Sequence, residues 1–370
     1  MMQIDKNQRL YSLDVLRGID MFWIIGAEEI FHRLAEITHS PFWEALSLQF
    51  THPLWDGFAF YDTIFPLFLF LAGVATPYSI GKQLQNGKPA NQLLWRVIKR
   101  GLILVLLGVI YNNGLQLLPL SEVRIPSVLG RIGLAYMFAN IIYLYFKPRG
   151  QLIWFASLLL GYWLLLMFTA APGFPAGTLS IEGNFASYID RMIIPGHLYR
   201  DIHDPEGLLS TLPAISTALL GIFTGTMLRN TTKENARKTV LHILATGVLL
   251  IILAQLWSLV FPINKNLWTS SFALQCGGIS MILMGTFYYI IDVMGYQKWG
   301  FFFKIIGMNS ILIYMSSVFI NWQFTANAMF KWLGQIAGEP YNVVIMVICL
   351  LAVQWAFLYF LYKKGVFLRV

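Results

Sequence analysis

Residues 51–77 read THPLWDGFAFYDTIFPLFLFLAGVATP. A polar head ends at Asp62, and an almost unbroken apolar run follows. A helix needs about 20 apolar residues to cross a bilayer, so the stretch predicts a membrane span. Pro66 comes four residues after Asp62 and has no N–H to donate to its carbonyl, so that turn is opened. A carboxylate beside a freed carbonyl inside a span suits a cavity lining rather than lipid contact. Local capping by Asp62 is the blander explanation.

Similar runs recur along the 370 residues. Candidate spans lie near 13–34, 57–79, 101–119, 126–146, 151–171, 209–228, 239–261, 268–291, 303–322 and 341–362. The expected fold is therefore an all-α membrane protein, a bundle of about ten helices, or eleven if residues 36–50 or 185–199 hold another span. No internal repeat interrupts it, and residues 1–370 read as one domain.

Composition agrees. Hydrophobic residues make up 57% and charged residues 12%, against about 25% charged in soluble domains, and the mean hydropathy is +0.62. Too little polar surface remains to cover a soluble fold of this size. The net charge of +8 is explained by Lys and Arg gathering in cytoplasmic loops. No basic stretch is interleaved with aromatics as a nucleic-acid groove would be. Cys276 and Cys349 both sit in apolar runs, so neither a disulfide framework nor a metal-type spacing is indicated. The opening MMQIDKNQRLYSLDVLRG lacks a cleavable apolar core, and the first apolar run is expected to be a retained anchor.

One set of loops carries Lys6, Arg9, Lys82, Lys88, Arg96, Lys99, Arg100, Lys147, Arg149, Arg229, Lys233, Arg237, Lys238, Lys298, Lys304, Lys363, Lys364 and Arg369. The opposite set carries only Arg33, Arg124, Arg191, Arg200, Lys265 and Lys331. This bias places both termini in the cytoplasm. The outer face then holds His32, His39, His52, His197 and His203 with most of the loop carboxylates, and only His242 lies inside.

Ionisable residues within spans are costly and point to function. The first span holds Asp14, Arg17, Asp20, Glu28 and Glu29. Asp14 and Arg17 are three apart and share a helix face, so an anchoring ion pair is as good an explanation as a binding site. His52 precedes the second span, with Asp56 four residues on. A histidine at a membrane surface is more often structural, but Asp62 could orient it as a general base if the chain folds back. PINKNLWTSS (262–271) places Asn264, Lys265 and Trp268 in a short outer loop. DPEGLLSTLPAI (204–215) puts acids at a helix entrance, where capping suffices to explain them. GMNSILIYMSS (307–317) puts Asn309 and Tyr314 inside a span.

Six segments in order carry a resemblance: RLYSLDVLRG (9–18), HPLWDG with YDTIFPLFLFLAG (52–73), RIPSVLGRIGLAY (124–136), DPEGLLSTLPAI, PINKNLW and GMNSILIYMSS. Together they resemble the transmembrane heparan-α-glucosaminide N-acetyltransferase family, in a shorter, bacterial-looking form without the lumenal domain, which implies a bacterial inner membrane. The resemblance implies transfer of acetyl from cytoplasmic acetyl-CoA to a glucosamine-type amine on the outer face, with no metal. It places the active-site histidine at His52 and the family aspartate at Asp62. Two departures, Asp56 and Glu28 where the animal enzyme has asparagines, bear on the acceptor. Glu28, Asp56, Asn264, Lys265, Trp268 and Asn309 are the expected acceptor and thioester contacts. Asp14, Arg17, Arg100 and Arg131 are the expected coenzyme contacts. A homodimer is a further expectation. His52 could act as a general base or carry the acetyl transiently. A multi-pass sugar transporter and an O-acetyltransferase of a surface glycan are the competing readings.

Overall fold

The computed structural model describes residues 10–368, all of whose regular structure is helical. Lys6, Arg9 and Arg369, used above for orientation, lie outside the described residues. The chain begins with α1 (Tyr11–Phe22), α2 (Glu29–Thr38), α3 (Pro41–Gln49), α4 (Ile64–Thr76) and the short α5 (Lys82–Gln85). It continues through α6 (Ala90–Asn113), α7 (Val128–Tyr145), α8 (Pro148–Phe168), α9 (Phe185–Ile193) and α10 (Thr211–Arg229). Then come α11 (Ala236–Ser258), α12 (Ser270–Phe287), α13 (Phe301–Met308), α14 (Ser310–Phe319), α15 (Trp322–Ala337) and α16 (Asn342–Lys363).

Seven helices are long and apolar enough to cross a membrane, and α13 with α14, bent by 53°, make an eighth if counted as one span. The protein is therefore an integral, multi-pass helical membrane protein. Every one of the ten expected segments falls on helix, but two do not qualify on these criteria. Segment 13–34 carries Asp14, Arg17, Asp20, Glu28, Glu29 and Arg33, and it breaks at Gly26, whose φ of 121° ends α1 before α2 begins. Segment 101–119 covers the apolar half of α6 and runs six residues past its end at Asn113, while the first half of α6 carries Arg96, Lys99 and Arg100. Residues 36–50 and 185–199 contain the short helices α3 and α9. Helix α15, which packs along α16, was not expected.

Helices α4 and α10 form the centre, being 72% and 78% buried along their most apolar stretch, while α8 and α11 are only 22% and 28% buried and present their sides to lipid. The α4–α10 contact depends on Gly73 and on the GIFTG sequence 221–225. A side-chain carbon at Gly73 would collide with the Ala218 carbonyl, and one at Gly221 with that of Phe70. Small residues spaced by four let two helix backbones close up where lipid gives no hydrophobic drive. The core runs through this contact, from Leu67–Leu71 of α4 to Leu219 and Ile222 of α10 and Phe272 of α12.

Candidate active site

Two loops meet at one end of the bundle. The first, residues 50–59, links α3 to a tight 3-10 turn, Phe60–Thr63, that enters α4. The second, residues 259–269, links α11 to α12. It is braced from within: Asn264 Oδ1 accepts the Leu267 N–H at 2.8 Å, and Thr269 Oγ1 accepts the Asn264 N–H at 3.1 Å. The loops are tied by the Gly57 N–H donating to Ile263 O at 3.2 Å and by Asn264 Nδ2 donating to Asp56 Oδ1 at 3.0 Å.

This juncture sets His52 against Asp62, with Nδ1 2.7 Å from Asp62 Oδ1. Asp62 is fully buried, whereas the His52 side chain is 44% exposed, so the imidazole is open to a substrate and its partner is not. Asp62 Oδ2 accepts the Ala59 N–H at 2.9 Å, so the carboxylate caps its own turn and orients the histidine at once. The carbonyl freed by Pro66 is met by Cys276, whose Sγ lies 3.9 Å from Asp62 O.

Lys265 closes the group. Its Nζ is 2.8 Å from His52 Nε2, 3.1 Å from Nδ1 and 3.6 Å from Asp62 Oδ1. Burial pulls the Lys265 ammonium below its ordinary pKa, and the Asp62 charge offsets part of that. The His52 ring stacks on Tyr61, centroids 4.8 Å apart, and Glu28 adjoins the Tyr61 hydroxyl. Tyr61 and Cys276 were missed in the sequence, and nothing in their spacing marks them.

A buried ionic layer supports this end. Arg124 forks onto Asp204 through Nε and Nη2, both at 2.9 Å, and reaches Glu206 at 2.6 Å. Burial works against the Asp204 charge, but the Arg124 hydrogen bonds and charge outweigh it and hold the pKa below its usual range. Burial raises Glu206, and lifts Asp190 to about 6. His203 bonds Ser187 Oγ at 2.7 Å and lies edge-on to Trp55, and burial pushes its imidazole down to about 4. Arg131 belongs here too, bonded to Gly207 O and Ser210 Oγ with its guanidinium 4.9 Å above the Trp268 ring.

At the opposite end a cavity of about 440 Å³ opens among α1, α4, α6, α7 and the α13–α14 bend. Arg17, Lys82 and Arg100 line it with Tyr78 and Tyr136, and Leu10 and Leu368 border it, so both ends of the described chain lie on this side. Arg17 pairs with Asp14 at 3.7 Å, and Arg100 lies over the Tyr136 ring at 4.5 Å. A narrow apolar cavity of about 40 Å³ adjoins it, sharing Phe68, Ile132 and Ile311 and reaching Phe65, which packs edge-on against Trp268.

The expected residues thus divide between two ends. His52, Asp56, Asp62, Asn264 and Lys265 come together, with Glu28 alongside through Tyr61. Arg17 and Arg100 share the basic cavity, and Asp14 reaches it through Arg17. Three are not where the sequence suggested. Trp268 is 1% exposed, wedged between Phe65 and Arg131, and offers no open face to a sugar. Arg131 lies in the ionic layer behind that ring, not in the basic cavity. Asn309 is at the cavity end, bonded to the backbone of residues 366 and 368, far from the acceptor loop. Among the described residues no cluster of metal-ligating side chains occurs.

Fold and site together define a class: a multi-pass membrane protein with a buried-carboxylate histidine at one end and a cationic cavity at the other. The chain belongs to the heparan-α-glucosaminide N-acetyltransferase family, whose catalytic-region model matches residues 9–261. The heparan-α-glucosaminide N-acetyltransferase of Mus musculus is 29% identical, the match covering 87% of this chain and 56% of that protein. The Homo sapiens protein of the same name is 28% identical, over 98% of this chain and 60% of that protein. The chain spans less than two thirds of the length of either relative.

Proposed function

We propose that the protein is a membrane-embedded acetyltransferase that moves acetyl from acetyl-CoA to the amine of a glucosamine-type sugar. The observation that carries the reading is the His52–Asp62 pair at 2.7 Å, on a histidine side chain 44% exposed whose outer nitrogen meets the Lys265 ammonium at 2.8 Å. The relatives' name supplies acetyl transfer and a glucosaminide acceptor, and acetyl-CoA as the donor is part of this proposal. The basic end faces the cytoplasm, as the Lys and Arg bias suggests, and the His52 end faces outward, in a bacterial inner membrane.

Arg17, Lys82 and Arg100 fit the coenzyme's phosphates as cations at the mouth of a cavity large enough for part of the molecule. The adjoining apolar void of about 40 Å³ marks a direction for the pantetheine arm, and the helices lining it would have to part for the arm to cover much of the roughly 30 Å of hydrocarbon. The Nδ1–H of His52 donates to Asp62, which leaves the Nε2 lone pair as the base. Lys265 withdraws from Nε2 as the acceptor enters. The neutral sugar amine attacks the thioester carbon, and His52 Nε2 takes the proton that nitrogen loses. The C–N bond forms, the C–S bond breaks, and the imidazolium returns the proton to the departing thiolate. Lys265, released from Nε2, is the nearby cation to meet the oxyanion of the tetrahedral intermediate.

This direct route needs no acetyl-histidine. Purified protein given acetyl-CoA and glucosamine is expected to release one thiol per amide formed, and none without the sugar. His52→Ala should abolish both while melting as the parent does. Undiminished turnover by that variant would remove His52 from the mechanism.

A further inference from the structure

We propose that the segment Val366–Leu368, clasped by Asn309, is a wall of the donor cavity that sets affinity for a nucleotide thioester. The inference rests on the donor reading above. It begins with Gly365, whose φ of 69° no side-chain-bearing residue adopts cheaply. The Gly365 N–H donates to Tyr362 O at 3.1 Å and the Val366 N–H to Leu361 O at 3.0 Å. Those two bonds are the paired C-terminal closure of a helix. They stop α16 and turn the chain back across the mouth of the cavity.

Asn309 catches it there. This residue leaves the helical region (φ −128°, ψ 32°) and marks the bend between α13 and α14. Its amide Nδ2 donates to Val366 O and its Oδ1 accepts the Leu368 N–H, each at 3.0 Å. Bonds on both sides of one residue fix that residue's direction, as a neighbouring strand would. The residue between them is Phe367, which packs edge-on to Tyr362 and lines the cavity with Leu368.

Asn309 is 2% exposed, so this pairing is shielded from water, while Leu368 is still 43% exposed beside the cavity. An apolar wall facing Arg17, Lys82 and Arg100 matches a ligand with an apolar body and anionic groups. Coenzyme A has that build. Asn309 is thus a positioning residue for the donor. It acts by holding Phe367.

The test uses the full chain in detergent, with coenzyme A titrated by calorimetry and steady-state constants measured for acetyl-CoA and glucosamine. Phe367→Ala and Asn309→Ala are each expected to raise the coenzyme A Kd and the acetyl-CoA KM by about tenfold or more. The glucosamine KM should not move, and Phe367→Leu should recover most of the affinity. Should Asn309→Ala fail to fold, Phe367→Ala decides alone, because the bonds of Asn309 to Val366 O and the Leu368 N–H remain. A coenzyme A Kd within about twofold of the parent for Phe367→Ala overturns the wall. No binding of coenzyme A by the unsubstituted chain overturns the donor reading itself.

Discussion

Replacing Asp62 by Asn probes the site with the least disturbance. The two oxygens of Asp62 do different work: Oδ2 accepts the Ala59 N–H at 2.9 Å, and Oδ1 accepts from His52 Nδ1 at 2.7 Å. An asparagine can keep only one of them. If its carbonyl retains the backbone cap, its NH₂ faces Nδ1, and the imidazole must adopt the tautomer that places its proton on Nε2. The base is then blocked at the atom that should receive the amine proton. A wrong tautomer of this kind costs roughly 10⁴ in other acyl-transfer sites, and general-base loss as a whole costs roughly 10²–10⁴. The expected loss in kcat here is about 10³–10⁴, or about 4–5.5 kcal/mol of barrier. The side chain is isosteric and the cap survives, so the fold should be kept, at some cost in stability from the Lys265 ammonium that loses its counter-charge 3.6 Å away. The assay is thiol release from saturating acetyl-CoA and glucosamine, with the melting temperature as control. A loss of under about tenfold in a variant that still melts cooperatively would refute the claim that Asp62 works through the imidazole.

Other outcomes follow from named contacts. Lys265→Met removes the ammonium 2.8 Å from Nε2 and should lower kcat by roughly 10²–10³ with coenzyme A binding unchanged; an unchanged kcat would take Lys265 out of the transition state. Arg124→Gln leaves Asp204 and Glu206 buried without their shared cation, and should destabilise the fold by about 3 kcal/mol in a denaturation series; a change under about 0.5 kcal/mol would mean the layer is solvated. His203 is neutral in the fold down to about pH 4, whereas the unfolded chain takes up a proton near the ordinary value of about 6.5. Its contribution is therefore fully present above about pH 6.5 and is lost as pH falls toward 4. His203→Gln should lower the acid sensitivity of melting over that window, and an unchanged pH profile would contradict it.

The residues around Asp62 show how much could be read in advance. Pro66 announces an opened turn from local chemistry alone, and the freed carbonyl, the capping oxygen and the approach of His52 all lie within ten residues of Asp62. Lys265 was legible as a polar residue in a short loop, but its seat against the imidazole was not. That contact joins positions 213 apart and depends on how α11 and α12 meet the first loop. Arg131 and Asn309 went to the wrong places for the same reason. Each occupies a helix or bend whose depth is set by packing: Arg131 by the Trp268 ring, Asn309 by the returning segment after Gly365. Helix α15 escaped because its apolar residues mix with Gln323, Asn327, Lys331 and Gln335 and form no continuous run. The basic cavity was foreshadowed by charge counting, yet only the fold brings Arg17, Lys82 and Arg100 to one opening.

The central claim is that acetyl crosses the bilayer through this bundle to a sugar that does not. Sealed vesicles holding the purified protein in its basic-end-inward orientation, loaded with acetyl-labelled acetyl-CoA, test it directly when glucosamine is supplied outside. The account predicts labelled N-acetylglucosamine in the external medium, unlabelled coenzyme A retained inside, and neither in vesicles carrying His52→Ala. Product formed only when donor and sugar share one compartment would contradict it.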